Sequence, residues 1–361
     1  MARLHNFSAG PGVLPEVALR QAQEDLWDVA GTGIGVLEHS HRGKAFDAIH
    51  QRAKQRVARL LGLDDDQAVL FLQGGARGQF FQWPMNALRG GRAAYLETGH
   101  WSKLAIDDAR RYGTVDVPFS SRESKFDRVP EAGEWGELPR DALYLHYTSN
   151  NTIFGSEFHY VPDSGDAWLV CDMSSNFLSR PVDGSKFAFL YAGAQKNVGP
   201  AGVTIVVVRK SILDRLDSDL PAVLRYGKQV EKDSMLNTPC TFGIYMIDQV
   251  CRWLEDDVGG LAAMERRNVA QADQVYGEID RTGFWRGPVA ESSRSRMNVV
   301  FRAPTEELDA AFVKEALAAG MSGLKGHRET GGLRASLYNA LPDASVTALV
   351  TFMREFERTH G

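Results

Sequence analysis

At 361 residues the chain exceeds what one ordinary hydrophobic core accommodates, so one large domain plus a smaller one is expected. Apolar residues make up 43% and charged ones 24%, as in soluble globular proteins, and a net charge of −5 calls for neither nucleic acid nor an anionic membrane as partner. The three cysteines, Cys171, Cys240 and Cys251, show no metal or disulfide spacing. No apolar leader opens the chain and no run nears the roughly 20 apolar residues of a membrane helix, so a cytoplasmic protein without a metal is expected.

In chain order, Leu14–Val29 predicts a helix with Pro15 in its first turn, where the missing N–H is not needed, and with Gly31 and Gly33 ending it. Lys44–Leu61 predicts a second: Phe46, Ile49, Ala53, Val57 and Leu60 recur at helical spacing, and Gly62 suits the C-terminal cap. Ala68–Leu72 then predicts a strand, followed by Gln73-Gly74-Gly75-Ala76-Arg77-Gly78 and a helix. Ala93–Glu97 predicts a strand, Trp101–Arg111 a helix, and Ala142–Tyr147, Ala167–Cys171, Phe187–Tyr191 and Val203–Val208 further strands. Several are apolar on both faces, as buried strands of a mostly parallel sheet are, which implies an α/β layered domain. After Phe242 come two long helices, Phe242–Asp257 and Leu261–Ile279, then a strand (Met297–Phe301), a helix (Glu306–Ala319), a strand around Arg334–Tyr338 and a last helix (Ala344–Thr359). The expected division is a large domain over 13–257 and a small α+β domain over 258–361, with residues 1–12 packing on the latter.

The most informative segment is Tyr191-Ala192-Gly193-Ala194-Gln195-Lys196-Asn197-Val198-Gly199-Pro200. It sets a lysine among small residues in a turn between two apolar strands. A surface loop also shows such a lysine, but its amine can form a Schiff base with pyridoxal 5'-phosphate (PLP). PLP makes three further demands. Its pyridinium nitrogen needs a carboxylate, and Asp172 stands at the end of the strand Ala167–Cys171, where open α/β sheets bind ligands; the alternative for Asp172 is a helix N-cap. Its phosphate needs backbone N–H groups at a helix start, which Gly74–Gly78 supply in a pattern that is neither dinucleotide-binding nor a P-loop. Its ring needs a stacking partner, and Trp101 follows Thr98-Gly99-His100 at the start of a helix.

The chain resembles the phosphoserine aminotransferases, fold-type I PLP-dependent transferases, over essentially its whole length. The matching stretches are Asn6-Phe7-Ser8-Ala9-Gly10-Pro11, Ser40-His41-Arg42-Gly43-Lys44, Gly74–Gln79, Ala192–Gly202, Asn237-Thr238-Pro239, Ser295–Val299, Lys325-Gly326-His327-Arg328 and Gly331–Ser336. The resemblance implies Lys196 as the Schiff-base lysine, Asp172 as pyridinium partner, Trp101 as stacking residue and Thr152 near the ring hydroxyl. It implies Ala76, Arg77 and Gln195 for the cofactor phosphate, with Asn237 and Thr238 reaching that phosphate from the other subunit of a homodimer. One departure is Asn151, where the family often has glutamate before the threonine.

The reaction so implied joins 3-phosphohydroxypyruvate and L-glutamate to give O-phospho-L-serine and 2-oxoglutarate, in serine biosynthesis; some relatives also use phosphohydroxythreonine in vitamin B6 synthesis. Both amino acids carry an α-carboxylate and a distal anion, so two separate cationic groups are needed. Arg334 is assigned to the α-carboxylate, and His41, Arg42, Arg77, His327 and Arg328 to the distal anion. Two alternatives are another fold-type I enzyme, such as an alanine–glyoxylate aminotransferase or a cysteine desulfurase using Cys240, and a non-catalytic phosphate-binding module on Gly74–Gly78.

Overall fold

A computed structural model describes residues 3–361. The elements run β1 (His5–Asn6), α1 (Glu16–Asp25), α2 (Lys44–Leu61), β2 (Gln67–Leu72), α3 (Gly75–Ala87), β3 (Arg92–Glu97), α4 (His100–Ala109), β4 (Thr114–Ser120) and β5 (Ala142–Thr148). They continue with β6 (Asn150–Asn151), β7 (Ser156–Glu157), β8 (Trp168–Asp172), β9 (Phe189–Gly193), β10 (Thr204–Arg209), α5 (Tyr226–Glu231), α6 (Thr241–Asp256) and α7 (Leu261–Ile279). The chain closes with β11 (Asn298–Phe301), α8 (Glu306–Ala318), β12 (Met321–Ser322), β13 (Leu333–Ser336) and α9 (Asp343–His360).

The seven-stranded sheet has the order β2-β10-β9-β8-β5-β3-β4 and is parallel except for β10, which runs antiparallel to both neighbours. Alternate side chains enter two different cores. Val69, Phe71, Leu145, Leu169 and Ile205 pack with α2 and α6 on one face. Leu70, Leu72, Tyr144, Val170 and Val206 pack with α3 and α4 on the other. Burial on both faces explains why these strands read as continuous apolar runs. Each fully buried Val, Leu or Phe contributes about 1.5–3 kcal/mol of burial free energy. A third core joins the second half of α7, β11, β13, α8 and α9 with Phe7 and Val13 from the N-terminal segment. β1 pairs in parallel with β12, which ties the chain's start to this C-terminal unit.

Besides the short β1, β6, β7, β12 and α5, which the sequence does not mark, the first helix, β4 and β9 depart from the sequence expectations. The first helix ends at Asp25, and 26–43 form an irregular segment that doubles back, with the Val36 N–H on the Asp25 carbonyl at 2.8 Å. β4 is an additional edge strand; its alternating Thr114, Asp116 and Ser120 leave no apolar run to mark it. β9 lies two residues later than Phe187–Tyr191, because Phe187 ends a 3-10 turn over Gly184–Lys186 and Gly193 pairs with Thr204.

Candidate active site

The ends of β5, β8 and β9 converge on one cluster. Lys196 follows β9, and its Nζ donates to Thr152 Oγ1 at 2.7 Å. The same amine lies 5.2 Å from the centre of the Trp101 ring, the second residue of α4. Burial pulls the Lys196 amine down to about 8, against the nearby Asp172 carboxylate, with Arg334 adding to the fall. Asp172 ends β8 and is buried; its Oδ1 accepts from the Ser174 N–H at 2.9 Å and the Ser174 hydroxyl at 2.6 Å. Burial pushes its carboxyl above the usual range, and the Lys196 charge and the Ser174 bonds pull it back.

Arg334 reaches this cluster from β13, its Nη1 donating to the Thr152 carbonyl at 3.1 Å. Its Nε is buried without a partner among the described residues, and burial lowers its pKa. The N-terminal segment crosses behind the lysine. The Gly12 N–H donates to the Gln195 carbonyl at 2.7 Å, and a Cβ on Gly12 would stand 2.5 Å from the Lys196 carbonyl oxygen. Sequence reasoning gave this glycine no role, because the contact joins residues far apart in the chain. Asn151 is buried; its Nδ2 donates to Thr98 Oγ1 and Ser156 Oγ, both at 3.1 Å, which ties the Thr152 loop to the turn before Trp101.

At the start of α3, Gly74 and Gly75 hold φ of +96° and +67°, a left-handed turn that side chains disfavour. A Cβ on Gly75 or Gly78 would meet nothing within 4 Å, so the helix N-terminus with Ala76 faces open space. The Arg77 guanidinium turns elsewhere: it pairs with Asp108 at 3.3 Å and lies over the Phe80 ring, so its backbone N–H is what stands at the helix start. Gln195 lies beside Gly193.

The remaining predicted residues make no hydrogen bond or ion pair with Lys196 or Asp172 among the described residues. Asn237 and Thr238 are exposed, tied to Gln73 through Asn237 Nδ2 at 2.9 Å and the Thr238 carbonyl at 2.8 Å. Arg42 is exposed, and His41 Nε2 is buried without a partner. His327 and Arg328 lie on the turn before β13; burial, then Arg334, lower the His327 pKa.

An amine, a buried carboxylate, an aromatic face and an open helix N-terminus match the aldehyde, ring nitrogen, ring and phosphate of PLP, so these residues fit that group. No thiol suits a desulfurase: Cys171 and Cys251 are buried, burial pushing Cys171 up to about 12, and Cys240 precedes α6 against Gly243. Among the described residues no group of His, Cys, Asp and Glu could hold a metal, and no helix is long and apolar enough to cross a membrane.

Residues 4–349 match the class-V aminotransferase family. A phosphoserine aminotransferase from Laribacter hongkongensis is 51% identical over 360 residues, which cover 99% of each chain. The solved phosphoserine aminotransferase from Bacillus circulans subsp. alkalophilus superposes with a TM-score of 0.97 at 45% identity, over 99% of both chains. The PLP-bound phosphoserine aminotransferase from Trichomonas vaginalis gives a TM-score of 0.92 at 38% identity, over 98% of this chain and all of that one (100%). The chain belongs to the class-V aminotransferases and, among them, to the phosphoserine aminotransferases, PLP-dependent enzymes of fold-type I.

Proposed function

We propose that this enzyme moves the amino group of L-glutamate onto 3-phosphohydroxypyruvate, giving O-phospho-L-serine and 2-oxoglutarate, in the cytoplasm and as a homodimer. The observation that carries the reading is the Lys196 amine, bonded to Thr152 over the Trp101 ring and facing buried Asp172. PLP, when bound, supplies an electron sink at the carbon that exchanges the amino group.

The chain's own residues do the rest. Lys196 holds the cofactor and moves the proton at the substrate Cα, and an amine lowered to about 8 reaches its free base much nearer neutral pH than an ordinary lysine. Asp172 keeps the proton on the ring nitrogen. Trp101 covers one ring face, and Thr152 orients the edge that carries the ring hydroxyl. The N–H groups of Ala76 and Arg77, with Gln195, bind the cofactor phosphate. Arg334 binds the α-carboxylate through its unpartnered Nε. His41, Arg42, His327 and Arg328 bind the distal anion; Arg77, committed to Asp108, joins them only if that pair opens. The large domain, 13–257, supplies the cofactor site, and the small domain, 258–361, supplies Arg334 and the 327–328 turn.

Asn237 and Thr238 of each subunit serve the cofactor phosphate of the other. Their exposure supports this, as do Leu26, Trp27, Ile34 and Leu37 on the segment leading to His41: Trp27 is 87% exposed and Leu37 57%, apolar surface that a second copy would cover.

The test is the distal anion. Charge-assisted bonds to phosphate are worth about 1.5–3 kcal/mol each, so Arg42→Ala or Arg328→Ala should lower kcat/KM for phosphoserine by roughly one to two powers of ten. The slow reaction with alanine, which has no distal anion, should not fall with it. A constant ratio of phosphoserine to alanine efficiency would refute the substrate assignment.

A further inference from the structure

His100 opens α4, next to Trp101, and its Nδ1 pairs with Glu329 Oε1 at 2.8 Å. That pair joins the large sheet's helix to the turn carrying His327 and Arg328. The turn is tight: the N–H groups of Thr330 and Gly331 fold onto the His327 carbonyl at 3.0 and 2.7 Å. The Glu329 N–H donates to His327 Nδ1 at 3.3 Å, which leaves Nε2–H as the donor of that imidazole. The rings of His100 and His327 are 6.2 Å apart. The charged groups acting on His327 are Arg334, Glu329, His100 and Arg328, and Glu329 is the one anion among them.

The enzyme's two amino acids end in different distal anions. A phosphate monoester carries a charge of about −1.5 to −2 near neutral pH and a carboxylate −1. Hydrogen-bond geometry serves both, but a fixed charge acts in proportion to the charge of what it meets. We infer that Glu329, held on His100, sets the charge that this pocket presents and thereby the preference between the phosphorylated substrate and glutamate. The inference rests on the reading of the 327–328 turn as the distal-anion pocket. Both are positioning residues, His100 acting by holding the Glu329 carboxylate back from the anion. Without His100 that carboxylate is free to face the substrate.

The experiment is kcat/KM for phosphoserine and for glutamate with the holoenzyme, in wild type, Glu329→Gln, His100→Asn and the double variant. One unit of charge removed beside the anion, at an effective dielectric between those of bulk water and a protein surface, changes the ratio of the two by about five-fold. Glu329→Gln should raise the phosphoserine-to-glutamate ratio by about that factor. His100→Asn should lower it by about three-fold, and in the Glu329→Gln background the His100 effect should vanish, since no charge remains to release. As a second reading, inhibition by inorganic phosphate should tighten more than inhibition by acetate in Glu329→Gln. A ratio within about two-fold of wild type in Glu329→Gln, or a His100 effect that persists in the double variant, would overturn the inference. Arg328→Ala measured alongside separates the two claims: loss of both anionic substrates relative to alanine upholds the pocket even where Glu329 fails.

Discussion

Burial pulls Lys196 down to about 8, and the Asp172 carboxylate holds it up against a further fall. Reconstitution of the apoenzyme with PLP needs the free-base amine, so its rate should climb as pH rises through about 8 and level off above. In Asp172→Asn the supporting negative charge is gone, so this step should move to lower pH. Turnover in that variant should drop by roughly 10²- to 10⁴-fold, as the ring nitrogen loses its proton partner. A reconstitution step unmoved by the substitution, followed by stopped-flow absorbance, would place another group beside the lysine. That Lys196, Asp172 and Trp101 lie together is legible in the sequence, because each is marked locally, by small neighbours, a strand end and a helix start. The turning of Arg77 to Asp108 is not, since a guanidinium on a flexible three-methylene arm reaches several partners and sequence spacing does not choose among them.

Among elements, the crossing of the N-terminal segment behind the lysine turn leaves no room for a side chain at Gly12. A Cβ on Gly12 would also stand 2.6 Å from the Tyr338 ring, so Gly12→Ala must displace either the Lys196 turn or Tyr338. Overpacking of this kind costs about 1–3 kcal/mol. The thermal midpoint should fall accordingly, and PLP should dissociate faster on dialysis; an unchanged midpoint together with unchanged retention would show that the segment yields freely. The helix Lys44–Leu61 was read from its periodicity with the bounds it has. The reversal of β10 was not, because a strand buried on both faces shows the same apolar run in either direction. Contacts such as Arg334 to the Thr152 carbonyl join elements that only the assembled fold brings together.

For the whole molecule, Trp27 and the Asn237–Thr238 segment are exposed, and the proposed dimer would cover both. Sedimentation at micromolar concentration should give a dimer, and Trp27→Asp should shift it toward monomer with loss of activity but retained secondary structure. Lys196→Ala and an Asn237→Ala/Thr238→Ala chain, each inactive or weak alone, should restore activity when mixed as hybrids, because one of the two sites is then built wholly from intact parts. In the function proposed above, the Lys196 amine holds PLP and yields it to a phosphorylated amino acid. The most direct measurement is borohydride reduction of the holoenzyme followed by peptide mass mapping, with and without prior phosphoserine. The PLP mass should appear on the Lys196 peptide, be lost after phosphoserine, and persist after the same brief exposure to alanine. A PLP mass on another lysine, or equal loss with alanine, would contradict it.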